Sequence, residues 1–272
     1  MQPDLIVIRG GGDLASGVAL RLRRVGFPVL ILELPQPLTV RRTVSFAEAV
    51  YAGSWSIEGV TARVVSPDQF QAAMDLGEIP VLVDPQANVL SNALLTSPRS
   101  TIVIDARLLK RDPGLLPVRP LLHIGLGPGF TAGIHCDAVI ETRRSHTLGR
   151  VYWEGRTQSD SGQPEGDPQR VLRAPADGNV IPRAQIGERL AAGQLIAEMK
   201  TPEGSLPIHS PLAGVLRGLL HPQAPAQKGM KIGDVDPRND PSACRLVSDK
   251  ALSIGGGVLE AILGREKDGH RV

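Results

Sequence analysis

Three clusters in this chain have the residue types and spacing to handle a ligand. The first is Gly10-Gly11-Gly12-Asp13-Leu14-Ala15, which follows a short apolar run and opens a helical pattern. Read as Gly10-x-Gly12-x-x-Ala15, its glycines permit a tight turn and a close ligand. The helix N-terminus behind them offers unpaired N–H groups and a positive dipole end to a phosphate. Glu33 ends the next apolar run, near the roughly twenty-residue offset at which a carboxylate meets ribose hydroxyls. Asp13 sits where a phosphate would bind and repels it. It either N-caps the helix, the favoured reading, or holds a cation, or acts on a substrate other than a plain dinucleotide. The plainer reading of the whole motif is a tight glycine turn without a ligand.

The second cluster runs from Gly125 to Gly133, with Gly127, Gly129 and Phe130 at its centre. Four glycines and Pro128 after an apolar run make a backbone-lined loop, placed either at a ligand-binding strand edge or simply where the chain turns. His135, Cys136 and Asp137 follow. In an extended segment His135 and Asp137 share a face and Cys136 points away. With no base beside it, Cys136 reads as a small core residue. The third cluster is Arg41-Arg42 with Ser45 and Glu48. Adjacent guanidinium groups either grip phosphate or stand as solvated charge. Asp84 and Asp105 each end an apolar run, where they line a crevice or cap a turn. The six histidines are scattered, with no Cys-x-x-Cys or His-x-x-x-His spacing, so no metal site is assigned. No residue is assigned a catalytic role.

These residues need elements to position them. Short apolar runs lie at Leu5–Ile8, Val29–Leu32, Val60–Val65, Val81–Val83, Ile102–Ile104 and Leu121–Ile124. Apolar residues at helical spacing run from Leu14 to Val25, and further helices are expected at Pro67–Met74 and Asn88–Leu95. Continuous apolar runs alternating with helices predict an α/β fold with a Rossmann-like parallel sheet over residues 1–154. Gly155–Gln169 is rich in Gly, Ser, Asp and Pro and reads as a linker. Beyond it, Ala174-Pro175-Ala176-Asp177-Gly178 is echoed 36 residues later by Ser210-Pro211-Leu212-Ala213-Gly214. That weak repeat predicts a small all-β domain over 170–238, followed by a helical tail over 239–272 that packs back. Within the tail, Ser248–Leu263 is apolar at helical spacing yet contains Gly255, Gly256 and Gly257. Each glycine costs a helix roughly 1 kcal/mol against alanine, so either the helix breaks or something packs close to its backbone.

The 272 residues are 42% hydrophobic and 21% charged, enough for a sizeable core. A net charge of +2 and only 3% aromatic residues argue against nucleic acid as a partner. Two cysteines cannot make a disulfide framework and fit a reducing compartment. No apolar stretch approaches the ~18 residues of a membrane span, and the opening run is too short for a signal peptide. A cytoplasmic location without membrane partners is the expectation.

The stretch Val7-Ile8-Arg9-Gly10-Gly11-Gly12-Asp13-Leu14-Ala15-Ser16-Gly17 resembles the opening of the YqeB family, accessory proteins of selenium-dependent molybdenum hydroxylase systems related to the XdhC xanthine dehydrogenase accessory family. The likeness continues at Arg41–Tyr51, Gly127–Gly133, Val139–Thr142, Lys231–Arg238 and Ser248–Glu260. It implies a maturation protein that holds molybdenum cofactor transiently, with a molybdenum hydroxylase and cofactor-biosynthesis proteins as partners and a homo-oligomer among the possibilities. The second half more loosely resembles a biotinyl/lipoyl-type barrel-sandwich module. The lysine such modules modify has no counterpart in register, Lys200 standing near the hairpin tip but off it. Two alternatives stay open: an NAD(P)-dependent oxidoreductase using the Gly10–Ala15 loop for an NAD-like nucleotide, and a non-catalytic docking protein.

Overall fold

The computed structural model describes residues 3–91, 100–160, 162 and 167–265. A nine-stranded sheet is built from β1 (Leu5–Arg9), β2 (Val29–Glu33), β3 (Ser54–Ile57), β4 (Val60–Val64), β5 (Ile79–Val83), β6 (Thr101–Asp105), β7 (Leu122–Leu126), β8 (Ala138–Ile140) and β9 (Val151–Tyr152). Their order is β3-β4-β5-β2-β1-β6-β7-β8-β9. The strands from β4 to β8 pair in parallel, while β3 and β9 run antiparallel at the two edges.

Burial on both faces explains the unbroken apolar runs. Ile6 and Ile8 pack into one core with α1 (Asp13–Arg24). Leu5 and Val7 pack into a second core on the opposite face, beside Leu30, Leu32 and Val103. That second face is covered by short pieces, including α3 (Phe70–Asp75). A further short helix, α2 (Ala49–Ala52), precedes β3. The first face is covered by α1 and by α4 (Asp249–Gly264), which comes from the far end of the chain.

The two long helices run side by side and in the same direction. A Cβ on Gly17 would stand 2.5 Å from the Cβ of Ala251, and one on Gly255 would stand 3.1 Å from Cγ of Arg21. Gly255 therefore marks close packing, and the helix is continuous through Gly255, Gly256 and Gly257. Gly257 lies against the Gly149 carbonyl, where an added Cβ would approach within 2.0 Å.

A second lobe holds β10 (Val171–Arg173), β11 (Gly178–Pro182), β12 (Arg189–Leu190), β13 (Leu195–Thr201), β14 (Gly204–His209), β15 (Gly214–Leu219), β16 (Pro225–Ala226) and β17 (Lys231–Asp236). They form two four-stranded antiparallel sheets, β10-β17-β15-β12 and β14-β13-β11-β16, around their own apolar core.

This corrects the expected fold class. The large sheet is mixed, not Rossmann-like and parallel throughout, and β6 passes to β7 through a segment with no helix. The second lobe is two antiparallel sheets beside it, not a clear barrel-sandwich module. An apolar run reports burial on both faces but not strand direction, and the half-exposed β3 and β9 carry no such run. The helix expected at Asn88–Leu95 is a single 3-10 turn over Asn88–Ser91, and residues 92–95 lie outside the described residues. Residues 161 and 163–166 of the expected linker and residues 266–272 of the expected tail also lie outside them. Among the described residues, no helix is long and apolar enough to cross a membrane.

Candidate functional site

Because α1 and α4 are parallel, their N-termini lie at the same end of the pair. Both open onto a cleft of about 820 Å³ between the two lobes. Asp13 and Leu14 of α1 and Ser248, Asp249 and Lys250 of α4 line it, together with Arg41, Lys110, Arg144 and the second-lobe residues Arg170, Arg173, Arg217, Lys231 and Arg238. Nine basic side chains face five acidic ones, Asp13, Asp160, Asp167, Asp236 and Asp249. Each helix adds roughly half a positive charge at its N-terminus. The field in the cleft favours an anion.

Local structure explains how the cations are aimed. Asp234 and Asp236 are two residues apart on β17 and so project from one face of that strand. A bulge between Leu216 and Gly218 places Arg217 out of the regular pairing. Its guanidinium reaches Asp234 Oδ1 at 2.7 Å and Asp236 Oδ2 at 3.2 Å. Arg170 and Lys231 also pair with Asp234, which is fully buried. Arg238 closes on Asp236 with Nη2 at 2.6 Å. The Arg238 hydrogen bond holds the Asp236 carboxyl down, at about 2, against the opposing effect of burial. At the α4 end, Ser248 caps the helix by accepting from the Ala251 N–H. Asp249 pairs with Arg144, which holds its carboxyl well below the usual range.

Arg41 is held more loosely. Among the described residues, its shortest polar contacts are 3.4 Å to Asp13 Oδ2, 3.4 Å to the Leu246 carbonyl and 3.5 Å to the Ala243 carbonyl, and its buried Nε has no partner there. A guanidinium with only long contacts at a helix N-terminus is poised to exchange them for a ligand oxygen.

The glycine motif is arranged differently from its sequence reading. Gly10 adopts φ +95°, and its N–H donates to the Leu32 carbonyl. The Gly11 N–H donates to Glu33 Oε2 at 2.6 Å, and the Gly11 carbonyl accepts from the Ala47 N–H and from Ser16 Oγ. An added Cβ on Gly11 would lie 2.9 Å from Ala47 N, so the chain covers this loop itself. Glu33 is buried and also accepts from the Leu34 N–H, and burial pushes its carboxyl up. It faces the loop rather than a ribose. Gly12 is the N-cap of α1 with no side-chain cap, and open space surrounds it. Asp13 begins the first turn and pairs with Arg41, so it is not the cap. Ala15 is buried in the core.

Arg41 and Arg42 part company. Arg42 turns away from the cleft, donating to the Leu219 carbonyl and pairing with the buried Glu48 at 2.7 Å. The Gly127–Phe130 loop is not among the cleft's walls. Phe130 fills the space over Gly125, and Gly129 sits against the Leu109 carbonyl. His135 Nδ1 accepts from the Thr131 N–H, and Asp137 accepts from the His123 N–H. Burial pushes the Cys136 thiol up to about 12. Thus Gly12, Asp13 and Arg41 come together, and the other expected residues do not join them. Sequence reasoning placed the helix of Ser248–Leu263 but assigned neither its start nor the second-lobe cations to a site. They converge from β10, β15, β17 and α4, and no local spacing links them.

No family model matches the chain. It is 44% identical over 265 residues to the uncharacterized protein YqeB of Escherichia coli K12, covering 96% of this chain and 47% of that protein. The chain thus spans about half the length of this relative. Among solved structures, it is similar to an aspartoacylase family protein from Mesorhizobium loti, at 8% identity and a TM-score of 0.29 over 86% of this chain and 85% of that one. It is similar also to the apo ectoine utilization protein EutE from Ruegeria pomeroyi, at 12% identity and a TM-score of 0.27 over 86% of each chain. A succinylglutamate desuccinylase from a Silicibacter species matches at 12% identity and a TM-score of 0.26 over 86% of this chain and 85% of that one. At these TM-scores the structural likeness carries no activity across. None of these names is that of a molybdenum or selenium accessory protein, and that expected label is not carried further.

Proposed function

Taking the chain as a YqeB family member over the half of that protein it spans, we propose that it binds a small phosphate-bearing ligand in the cleft between its two lobes. The observation that carries this reading is the parallel packing of α1 and α4, which brings two helix N-termini to a cleft already lined by nine basic side chains. Parallel neighbouring helices place like dipole ends together, an arrangement that a bound anion relieves. Gly12 leaves its side of the α1 terminus open. Arg41 has only long contacts to give up.

Inorganic pyrophosphate is the simplest probe. Titrated calorimetrically into the protein at low salt, it binds, and the affinity falls as salt is added. Arg41→Ala weakens binding by about tenfold or more, because a charge-assisted hydrogen bond contributes about 1.5–3 kcal/mol. A flat titration at millimolar pyrophosphate and low salt overturns the reading.

A further inference from the structure

The carboxylates that line the cleft are held unequally. Asp249 meets Arg144 twice, at 2.5 and 2.8 Å. Asp160 pairs with Lys110 at 2.7 Å, and Asp236 pairs with Arg238 at 2.6 Å. Asp167 caps a turn, accepting from the Gln169 N–H at 2.9 Å. Asp13 is held least. Among the described residues its carboxylate has a single polar partner, Arg41, and that contact is 3.4 Å long. Its side chain is 33% exposed. It stands on the first residue of α1, beside the open space at Gly12. No side chain caps this helix, so the carboxylate faces Arg41 instead of serving the backbone.

We propose that Asp13 is a built-in competitor for the ligand. Its carboxylate rests on Arg41, and an incoming phosphate oxygen displaces it. This rests on the binding reading above and adds the regulation of that site. A carboxylate on the same chain is always at hand, so a ligand must displace it before Arg41 can bond to the ligand. A phosphate gains more from the position than Asp13 does. It offers Arg41 a charge-assisted bond of about 2.7–2.9 Å, well inside the contact that Asp13 makes. Its other oxygens reach toward the first N–H groups of α1, which have no partner within a helix. Asp13 thus keeps Arg41 at the helix end while holding the ligand's affinity down.

The test is calorimetric titration of pyrophosphate at low salt. It compares wild type with Asp13→Asn and Asp160→Asn, and Arg41→Ala with the double variant that adds Asp13→Asn. Asparagine keeps the shape of aspartate at a partly exposed position, and circular dichroism checks the fold. Asp13→Asn tightens binding about threefold to tenfold, because an ion pair and a like charge beside the ligand are both removed. Asp160→Asn removes a cleft carboxylate that pairs with Lys110 rather than Arg41, and it gains less. With Arg41→Ala in place, Asp13→Asn gains under about twofold, because no shared contact remains to compete for. Unchanged or looser binding by Asp13→Asn overturns the competitor while the cleft reading stands. A gain that persists undiminished in the Arg41→Ala background, or an equal gain from Asp160→Asn, also overturns it, since either reports the general field of the cleft. If neither wild type nor Asp13→Asn binds pyrophosphate, both readings fall.

Discussion

Asp236 shows how one carboxylate serves both the site and stability. Its folded value of about 2 lies below the ordinary aspartate value of about 3.9. A depressed carboxyl contributes stability that is fully present above the ordinary value and is lost as pH falls through the folded one. Asp236→Asn therefore lowers the melting temperature at pH 7, and the gap to wild type closes as pH drops from about 4 towards about 2. Melts across that range check it, and a gap that stays constant with pH argues that lost packing rather than charge is responsible. Glu33 runs the other way. Burial raises its carboxyl, so ionising it in the fold costs stability that returns as pH falls. A carboxylate near the expected twenty-residue offset was legible in the sequence. Its direction was not, because spacing cannot say whether an acid faces a ligand or folds back onto the Gly11 N–H.

At the scale of elements, the α1–α4 pair is the feature on which the cleft depends, and its glycines can be separated by experiment. Gly257 lies against the Gly149 backbone, with no flexible atom to give way. Gly257→Ala costs about 1–3 kcal/mol by overpacking. Gly256, one residue earlier in the same helix, has open space around it. Gly256→Ala gains up to about 1 kcal/mol through helix propensity. Opposite shifts in denaturant midpoint confirm the packing, whereas parallel shifts exclude it. The sequence posed this choice at residues 255–257 without deciding it, since a glycine reads alike whether it breaks a helix or admits a neighbour. Strands buried on both faces, such as β1, β2 and β6, were legible as unbroken apolar runs. The edge strands β3 and β9 were not, because β3 alternates over only the four residues Ser54–Ile57 and β9 has two, too short a stretch to stand out as a strand.

At the scale of the whole molecule, the chain leaves the first lobe after β9, builds the second, and returns with α4 to complete the first lobe's core. The lobes meet along the segment that carries Arg41. The Leu219 N–H donates to the Val40 carbonyl at 2.8 Å, Gln36 reaches the Gln223 carbonyl at 3.1 Å, and Tyr51 stacks on His221 at 3.7 Å. No sequence pattern announced this seam, since its partners are some 180 residues apart and polar contacts between lobes leave no periodicity. One close approach joins the second lobe to the segment that carries Arg41. A Cβ on Gly218 would stand 2.7 Å from the Val40 carbonyl oxygen and 3.3 Å from the Arg41 nitrogen. Gly218→Ala must therefore push away the strand of chain that positions Arg41, although Gly218 itself is not one of the cleft's lining residues. The expected result is pyrophosphate affinity lowered severalfold, with far-ultraviolet circular dichroism unchanged and each lobe still folded. Calorimetry on this variant beside Arg41→Ala checks the link. If the seam acts through Arg41, adding Gly218→Ala to Arg41→Ala produces little further loss, because both changes remove the same contact. Full additivity of the two losses means instead that the seam supports the second-lobe wall independently of Arg41.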